Sequence, residues 1–198
     1  MKEGDMLSEI ANIGSGNAAR ALSKFSGKEI NHLKPVINIF KDKFKYYDLF
    51  DENIEVVSSS IRFQGNFKGI TVLLFPTFDA FKLIALISKK VKLKISNDLS
   101  SYKSAFDETA NIFTGAYMTA ISDLIKTKIN HKVPELRLGH VKNVFNEISK
   151  ISKNPMSKGI CIKTKLGIGK ENIHGYFMIF YEDKSMDKLV LSLENAIN

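Results

Sequence analysis

The chain contains an internal repeat. Residues Asp5 to Pro35, DMLSEIANIGSGNAARALSKFSGKEINHLKP, align without a gap to Ser104 to Pro134, SAFDETANIFTGAYMTAISDLIKTKINHKVP, at a constant separation of 99 positions (104 minus 5, and 134 minus 35). Each copy of a repeat is one structural unit that must pack against its neighbour. The repeat therefore predicts a single domain made of two homologous halves, about 1–98 and 99–198, joined near Lys92 to Ser100.

The segments that follow the two copies also match. Strands are predicted at residues 36–40 (VINIF) and at residues 135–141 (ELRLGHV). A β-hairpin is predicted after each strand: the runs IEVVSSSIRF and FKGITVLLF form the first, and GICIKTKLGI and HGYFMIFY form the second. Each half ends in a helical pattern, TFDAFKLIALISKK or DKSMDKLVLSLENAI. The order in each half is therefore helix, strand, hairpin, helix. This order predicts an α/β (α+β) fold with pseudo-two-fold symmetry, in which one shared, mostly antiparallel sheet is covered by helices.

Both repeated segments are predicted to begin as amphipathic helices. In the first copy, apolar or small residues recur at helical spacing, and the second copy nearly repeats them. The run GSGNAA fits the G-x-G-x-x-A pattern, but a dinucleotide loop needs a strand before its first glycine. The pattern before Gly14 is helical, and Phe113 stands at the matching position, so the pattern argues against a nucleotide loop.

Off the apolar stripe, each predicted helix carries a second line of residues at spacings of four, three and four. Residues so spaced are neighbours on one helix face. A glycine inside a helix lowers the stability of the helix by roughly 1 kcal/mol, and close approach of another surface would explain why glycine is present. Proline follows at the same distance in both copies. The lines are Asp5, Glu9, Asn12 and Gly16 with Pro35, and Ser104, Glu108, Asn111 and Gly115 with Pro134.

Simpler interpretations of these positions remain open. A glutamate and an asparagine on a helix commonly form a solvated face. Asp5 and Ser104 could be helix N-caps, and Pro35 and Pro134 could stop the helix and open the next strand. The recurring His32 and His131 lie at the expected ends of the helices and are assigned structural roles, whereas Arg20 and Lys24 are interpreted as solvated or partner-facing.

Composition excludes several functional classes. The start, MKEGDM, lacks the apolar run of a signal peptide, and no segment is long and apolar enough to span a membrane, so a cytoplasmic protein is expected. The single cysteine, Cys161, is expected in a buried strand, and four scattered histidines form no metal-ligand pattern. A net charge of +8 favours acidic partners, but the lysines are dispersed, so nucleic acid is not expected.

The repeated pattern D/S-x3-E-x2-N-x22-P resembles the signature of the chemotaxis phosphatases CheC and CheX and the flagellar switch protein FliY. Both copies fit it in full, and the likeness runs over essentially the whole chain. Two fitting motifs favour a CheC-type over a CheX-type protein, and the end at Asn198 without a rotor domain favours it over a FliY-type protein. Thr109 and Ala110 beside the second motif depart slightly from the pattern.

The resemblance implies hydrolysis of the aspartyl phosphate on the response regulator CheY. In that case Asn12 and Asn111 would orient the attacking water, and Glu9 and Glu108 would pair with a lysine of the regulator. The chain would need no cofactor of its own, since Mg²⁺ would belong to the regulator, and the deamidase CheD would be a second partner. The competing hypothesis is a non-catalytic module that binds or scaffolds response regulators.

Overall fold

The structure is a computed structural model that describes residues 3–32, 34–40, 49–51, 53–91, 99–151, 158–182 and 184–197. Two long helices carry the start of each repeat, and the remaining helices follow strands. In chain order the elements are α1 (Glu3–Ser26), β1 (Ile30–His32), β2 (Val36–Phe40), β3 (Glu55–Gly65), β4 (Gly69–Pro76), α2 (Thr77–Val91), α3 (Leu99–Leu124), β5 (Ile129–His131), β6 (Glu135–His140), α4 (Val141–Ile151), β7 (Lys158–Ile168), β8 (Glu171–Tyr181) and α5 (Ser185–Ile197).

The strands form one antiparallel sheet, which confirms the predicted fold class. Its order is β1-β7-β8-β4-β3-β5, with β2 beside β1 on β7 and β6 beside β5 on β3. The two hairpins lie side by side at the centre through β4 and β8, which pair from Gly69↔Tyr181 to Leu74↔Tyr176. Every strand pairing in the described part of the chain is antiparallel.

The short strands of each repeat pair with the hairpin of the other half. Strands β1 and β2 pair with β7, whereas β5 and β6 pair with β3. Each half therefore completes the sheet of the other. The exact division of the chain near residue 98 stays a prediction, because residues 92–98 lie outside the described part.

The two faces of the sheet pack against different helices. Alternate residues of a strand point to opposite faces, and in β4 the residues Leu73 and Phe75 join a core with α1, α2, α3 and α5. Val72 and Leu74 join a second core that includes Phe145 of α4. The helices α1 and α3, which carry the repeated motif, therefore lie on one face, and α4 lies on the other.

The predicted helices and strands are present, with three differences. The sequence pattern did not predict α4, and it did not predict the three-residue strands β1 and β5. It also placed the ends of the first helices too late, because α1 ends at Ser26 and α3 ends at Leu124. Gly27 (φ 60°) and Lys126 (φ 49°), which match in the repeat, adopt the left-handed conformation that commonly closes a helix.

Candidate functional site

The polar line on α1 faces solvent while the apolar stripe beside it is buried. Leu7 and Ile10 have 0% and 3% of their surface exposed and pack in the core. Asp5, Glu9 and Asn12 are exposed. A spacing of three and four residues places the Glu9 carboxylate and the Asn12 carboxamide on neighbouring turns of one helix face. The packing of the stripe therefore holds α1 with this face outward.

The second copy places its polar line in the same way on α3. Ser104 and Glu108 are exposed, and Asn111 is half-buried. Phe106, at the position of Leu7, is buried in the same core. The fold thus presents two carboxylate and carboxamide pairs at the surface, one on each long helix. Their role in catalysis is not decided by this placement and stays a prediction.

Each proline lies directly before a strand of the sheet. Buried Pro35 precedes β2, and half-buried Pro134 precedes β6. Pro35 lines a shallow depression together with residues of α1, so the proline forms one wall of the first site. The other lining residues are Asp5, Ser8, Glu9, Asn12, Lys34 and Ile37.

A second depression continues from Asn12 towards the end of α1. Gly16 lies in its floor, and His32 of β1 forms a wall. A Cβ added to Gly16 would lie 3.2 Å from Cε1 of His32, which is tighter than ordinary contact, and one added to Gly115 would lie 3.7 Å from Nε2 of His131. The surface that approaches these glycines is therefore the histidine of the following short strand.

The N-cap interpretation is wrong, and the proline interpretation is correct for the strands but not for the helices. Asp5 lies inside the first turn of α1 and Ser104 lies inside α3, so neither is a helix N-cap. The prolines open strands, but the helices have already ended at Ser26 and Leu124. The prediction that the histidines lie at helix ends is also wrong, because His32 and His131 are the last residues of β1 and β5.

A hydrogen-bonded serine fixes the strand that carries His32. Ser23 Oγ of α1 accepts a hydrogen bond from the Ile30 amide (2.9 Å) and donates to the carbonyl oxygen of Ala19 (2.9 Å). Ile30 is the first residue of β1. The end of α1 and the start of β1 are therefore tied together, which holds His32 beside Gly16.

A family model describing the CheC-like family matches residues 3–39 and 103–137, which are the two repeated segments. Both repeated segments are similar to the CheC-like family. It is 29% identical over 151 residues to the CheY-P phosphatase CheC of Bacillus subtilis (strain 168), which covers 72% of this chain and 69% of the relative. The motif-bearing helices α1 and α3 thus lie in the segments that the family model matches.

Solved structures share the CheC-like fold. FliY of Thermotoga maritima superposes with a TM-score of 0.76 over 98% of this chain and 96% of that chain, at 21% identity. The CheX-CheY-BeF₃-Mg²⁺ complex of Borrelia burgdorferi gives a TM-score of 0.53 over 88% of this chain and 97% of that chain, at 13% identity. At these identities the likeness concerns the fold alone.

The surroundings of the two candidate sites differ in residues that the sequence pattern did not single out. Lys34 lines the first site. Asp107 precedes Glu108, and burial raises the pKa of its carboxyl, while Lys103, one turn earlier, lowers it by a smaller amount. Comparison of the two copies position by position could have found both, since Val133 matches Lys34 and Ser8 matches Asp107.

The chemistry open to these sites is that of carboxylates and amides. Within the described residues, no three histidine, cysteine or acidic side chains group as metal ligands. Cys161 is buried in β7, where burial raises the pKa of its thiol to about 12. A neutral amide can hold a water molecule by hydrogen bonds, and a carboxylate can pair with a cation. No helix in the described part has the length and apolar character needed to cross a membrane.

Proposed function

We propose that this protein hydrolyses the aspartyl phosphate of a CheY-type receiver domain. The observation that carries the proposal is the carboxylate and carboxamide pair presented outward on α1, Glu9 with Asn12, and again on α3, Glu108 with Asn111. The relative from B. subtilis bears the name CheY-P phosphatase, and the solved CheX complex contains CheY. Both names support a receiver domain as the partner of these helix faces.

Asn12 and Asn111 would each act by positioning water. An amide does not accept a proton at neutral pH, but it can hydrogen-bond a water and aim its oxygen at phosphorus. The water oxygen forms the new bond to phosphorus as the bond to the aspartyl oxygen breaks, and the aspartate carboxylate leaves with the electron pair. The protons of the water pass to the released phosphate and to solvent. Fixed geometry of this kind can supply a large part of a rate enhancement.

Glu9 and Glu108 would dock the helices. A carboxylate one turn from the asparagine can form a charge-assisted hydrogen bond with a lysine of the receiver, which orients the asparagine over the phosphoryl group. We place the Mg²⁺ in the receiver; the solved complex of CheX with CheY contains BeF₃ and Mg²⁺. It would neutralise charge on the phosphoryl oxygens.

The test measures phosphate release from phosphorylated receiver domains of the source cell. Wild-type protein is expected to accelerate release severalfold or more, and Asn12→Ala combined with Asn111→Ala is expected to return the rate to that of the receiver alone. Glu9→Gln with Glu108→Gln should raise KM more than it lowers kcat. Asn146→Ala is the matched control, because Asn146 is exposed on α4, on the opposite face of the sheet.

An unchanged release rate in the double asparagine variant would remove this mechanism. Comparison of the two single variants measures the share of each site. If the Asn146→Ala control lost the acceleration of phosphate release as fully as the double asparagine variant, the cause would be a general loss of folded protein. Circular dichroism of each variant detects such a loss.

A docking module without useful turnover is the second candidate. The repeated motif motivates this candidate, because its pattern also resembles that of the flagellar switch protein FliY. Tight binding of a receiver loaded with Mg²⁺ and beryllofluoride, without faster phosphate release, would support this function over the phosphatase.

The deamidase CheD is a further proposed partner, by analogy with CheC-type proteins. Addition of CheD from the source cell is expected to raise the phosphatase rate. Absence of CheD from material captured by the protein, together with an unchanged rate, would count against this partner.

A further inference from the structure

The two sites differ in charge at positions that match in the repeat. Arg20 of α1 corresponds to Thr119 of α3, and Lys34 before β2 corresponds to Val133 before β6. All four residues are exposed. The first copy therefore carries two cations where the second carries an uncharged polar residue and an apolar one.

The two cations lie on either side of the first asparagine. Lys34 lines the depression that contains Glu9 and Asn12. Arg20 lines the depression that continues from Asn12 to His32. A partner that covers Asn12 must therefore approach both positive charges.

These charges are not neutralised within the described part of the chain. Arg20 Nη2 donates a hydrogen bond to Asn17 Oδ1 (3.0 Å), which is uncharged. The ion pairs found among the described residues involve Lys82 and Arg137, not Arg20 or Lys34. Both cations are thus available to acidic groups of a partner.

The surroundings of the second site favour a different contact. Val133 has 81% of its surface exposed, the largest exposed fraction among the exposed large hydrophobic residues of the described chain. Asp107, next to Glu108, adds a carboxyl group where the first copy has Ser8. At the two positions that match Arg20 and Lys34, an acidic partner surface would gain no cation, while the number of carboxyl groups stays the same because Ser104 replaces Asp5.

We propose that Arg20 and Lys34 are specificity-determining residues, which make the first site dock receivers whose rim beside the phosphorylated pocket is acidic. The second site docks through the apolar Val133 and does not depend on that charge. This inference rests on the proposed function, because it assigns different partner surfaces to the two pairs of glutamate and asparagine. One protein could in this way act on two classes of receiver.

The test uses full-length variants with one site blocked. Glu108→Lys with Asn111→Ala leaves the first site, and Glu9→Lys with Asn12→Ala leaves the second. For each, the Kd for a receiver loaded with Mg²⁺ and beryllofluoride, and the KM and kcat of phosphate release, are measured between low and moderate NaCl concentration. The receiver has an acidic rim, and a second version has that rim neutralised by Asp→Asn and Glu→Gln substitutions.

Salt should weaken binding at the first site and barely change it at the second. Exposed ion pairs are individually weak and are screened by salt, so two of them predict about a three- to tenfold rise in Kd and KM with kcat unchanged. Arg20→Thr with Lys34→Val, or the neutralised receiver, should remove this dependence. Thr119→Arg with Val133→Lys should introduce it at the second site.

Lys150→Thr is the control, since Lys150 is an exposed lysine on α4, on the opposite face of the sheet, and should leave the salt dependence unchanged. Equal salt dependence at the two sites, with both binding and releasing phosphate, would overturn this inference and leave the proposed function intact. Failure of both blocked variants and of the wild type to bind the receiver would overturn the two together. Binding without release, with the salt difference present, would support the inference and contradict the phosphatase.

Discussion

Asp107 lies in an environment that its counterpart in the first copy does not share. Ser8 is exposed, and its Oγ donates a hydrogen bond to the carbonyl oxygen of Gly4 (2.8 Å). Asp107 Oδ1 is buried and has no hydrogen-bond partner in the described structure. Burial raises the pKa of this carboxyl, and the nearby charge of Lys103 lowers it by a smaller amount. The fold therefore favours the protonated form more than the unfolded chain does.

We predict that Asp107→Asn stabilises the protein at neutral pH and less so in acid. Because the folded-state pKa lies above the usual 3.8, the native state holds the proton more tightly. The contribution of this group to stability then falls as pH rises from about 4 through the folded-state pKa. The Tm of the variant should exceed that of the wild type at pH 7.5 by roughly 1–2 °C, and the difference should shrink towards pH 3.5. Equal differences at both pH values would contradict the burial effect.

At the residue scale, spacing predicted which side chains reach the surface but not how each is surrounded. The exposure of Glu9 and Glu108 follows from helical periodicity, because the apolar stripe beside them must be buried. The buried oxygen of Asp107 depends on the tertiary packing around α3, which no local pattern contains. The contact between Gly16 and His32 depends on where β1 pairs with β7, again a long-range feature.

At the scale of elements, α1 and α3 are each followed by a residue in the left-handed conformation, but the two residues differ. After α3, the Thr127 amide donates to the Ser122 carbonyl (2.9 Å) and the Lys126 amide donates to that of Asp123 (3.3 Å). This is the Schellman pattern, in which the residue in the left-handed conformation is usually glycine. Gly27 fills that position after α1, but Lys126 fills it after α3.

Lys126→Gly is predicted to raise the free energy of unfolding by about 0.5–1 kcal/mol, because a side chain in the left-handed conformation is strained and glycine is not. Gly27→Ala is the matched opposite change and should lower it by about 1 kcal/mol. Urea unfolding of both variants gives the two values. A lower stability of Lys126→Gly would show that the lysine side chain contributes more than the strain costs.

The repeat predicted most of the helices and strands, but it did not predict α4. Residues Val141–Ile151 follow β6 and alternate apolar and polar residues at helical spacing, with Val141, Val144, Phe145 and Ile148 buried. The predicted order of each half, helix, strand, hairpin, helix, contains no helix between the strand and the hairpin. The strands β1 and β5 have only three residues each, which is too short for an alternation pattern to be recognised.

At the scale of the whole molecule, each half supplies the other with edge strands. β3 of the first half pairs with β4 on one side, and with β5 and β6 of the second half on the other. β7 of the second half likewise pairs with β8, and with β1 and β2 of the first half. The prolines and histidines of each motif lie on or beside these exchanged strands. Each candidate site therefore depends on a strand pairing that joins the two halves.

We predict that neither fragment 1–98 nor fragment 99–198 folds as a monomer. Alone, each fragment leaves both outer edges of its long hairpin without partner strands, and unpaired edges of this kind promote association. Each fragment should show no cooperative thermal transition by circular dichroism at low concentration, whereas an equimolar mixture should recover the far-UV spectrum of the full chain. The mixture is the control for damage caused by cutting the chain. A monomeric fragment 1–98 with a cooperative transition would contradict this dependence, because β1 and β2 would then have found a partner other than β7.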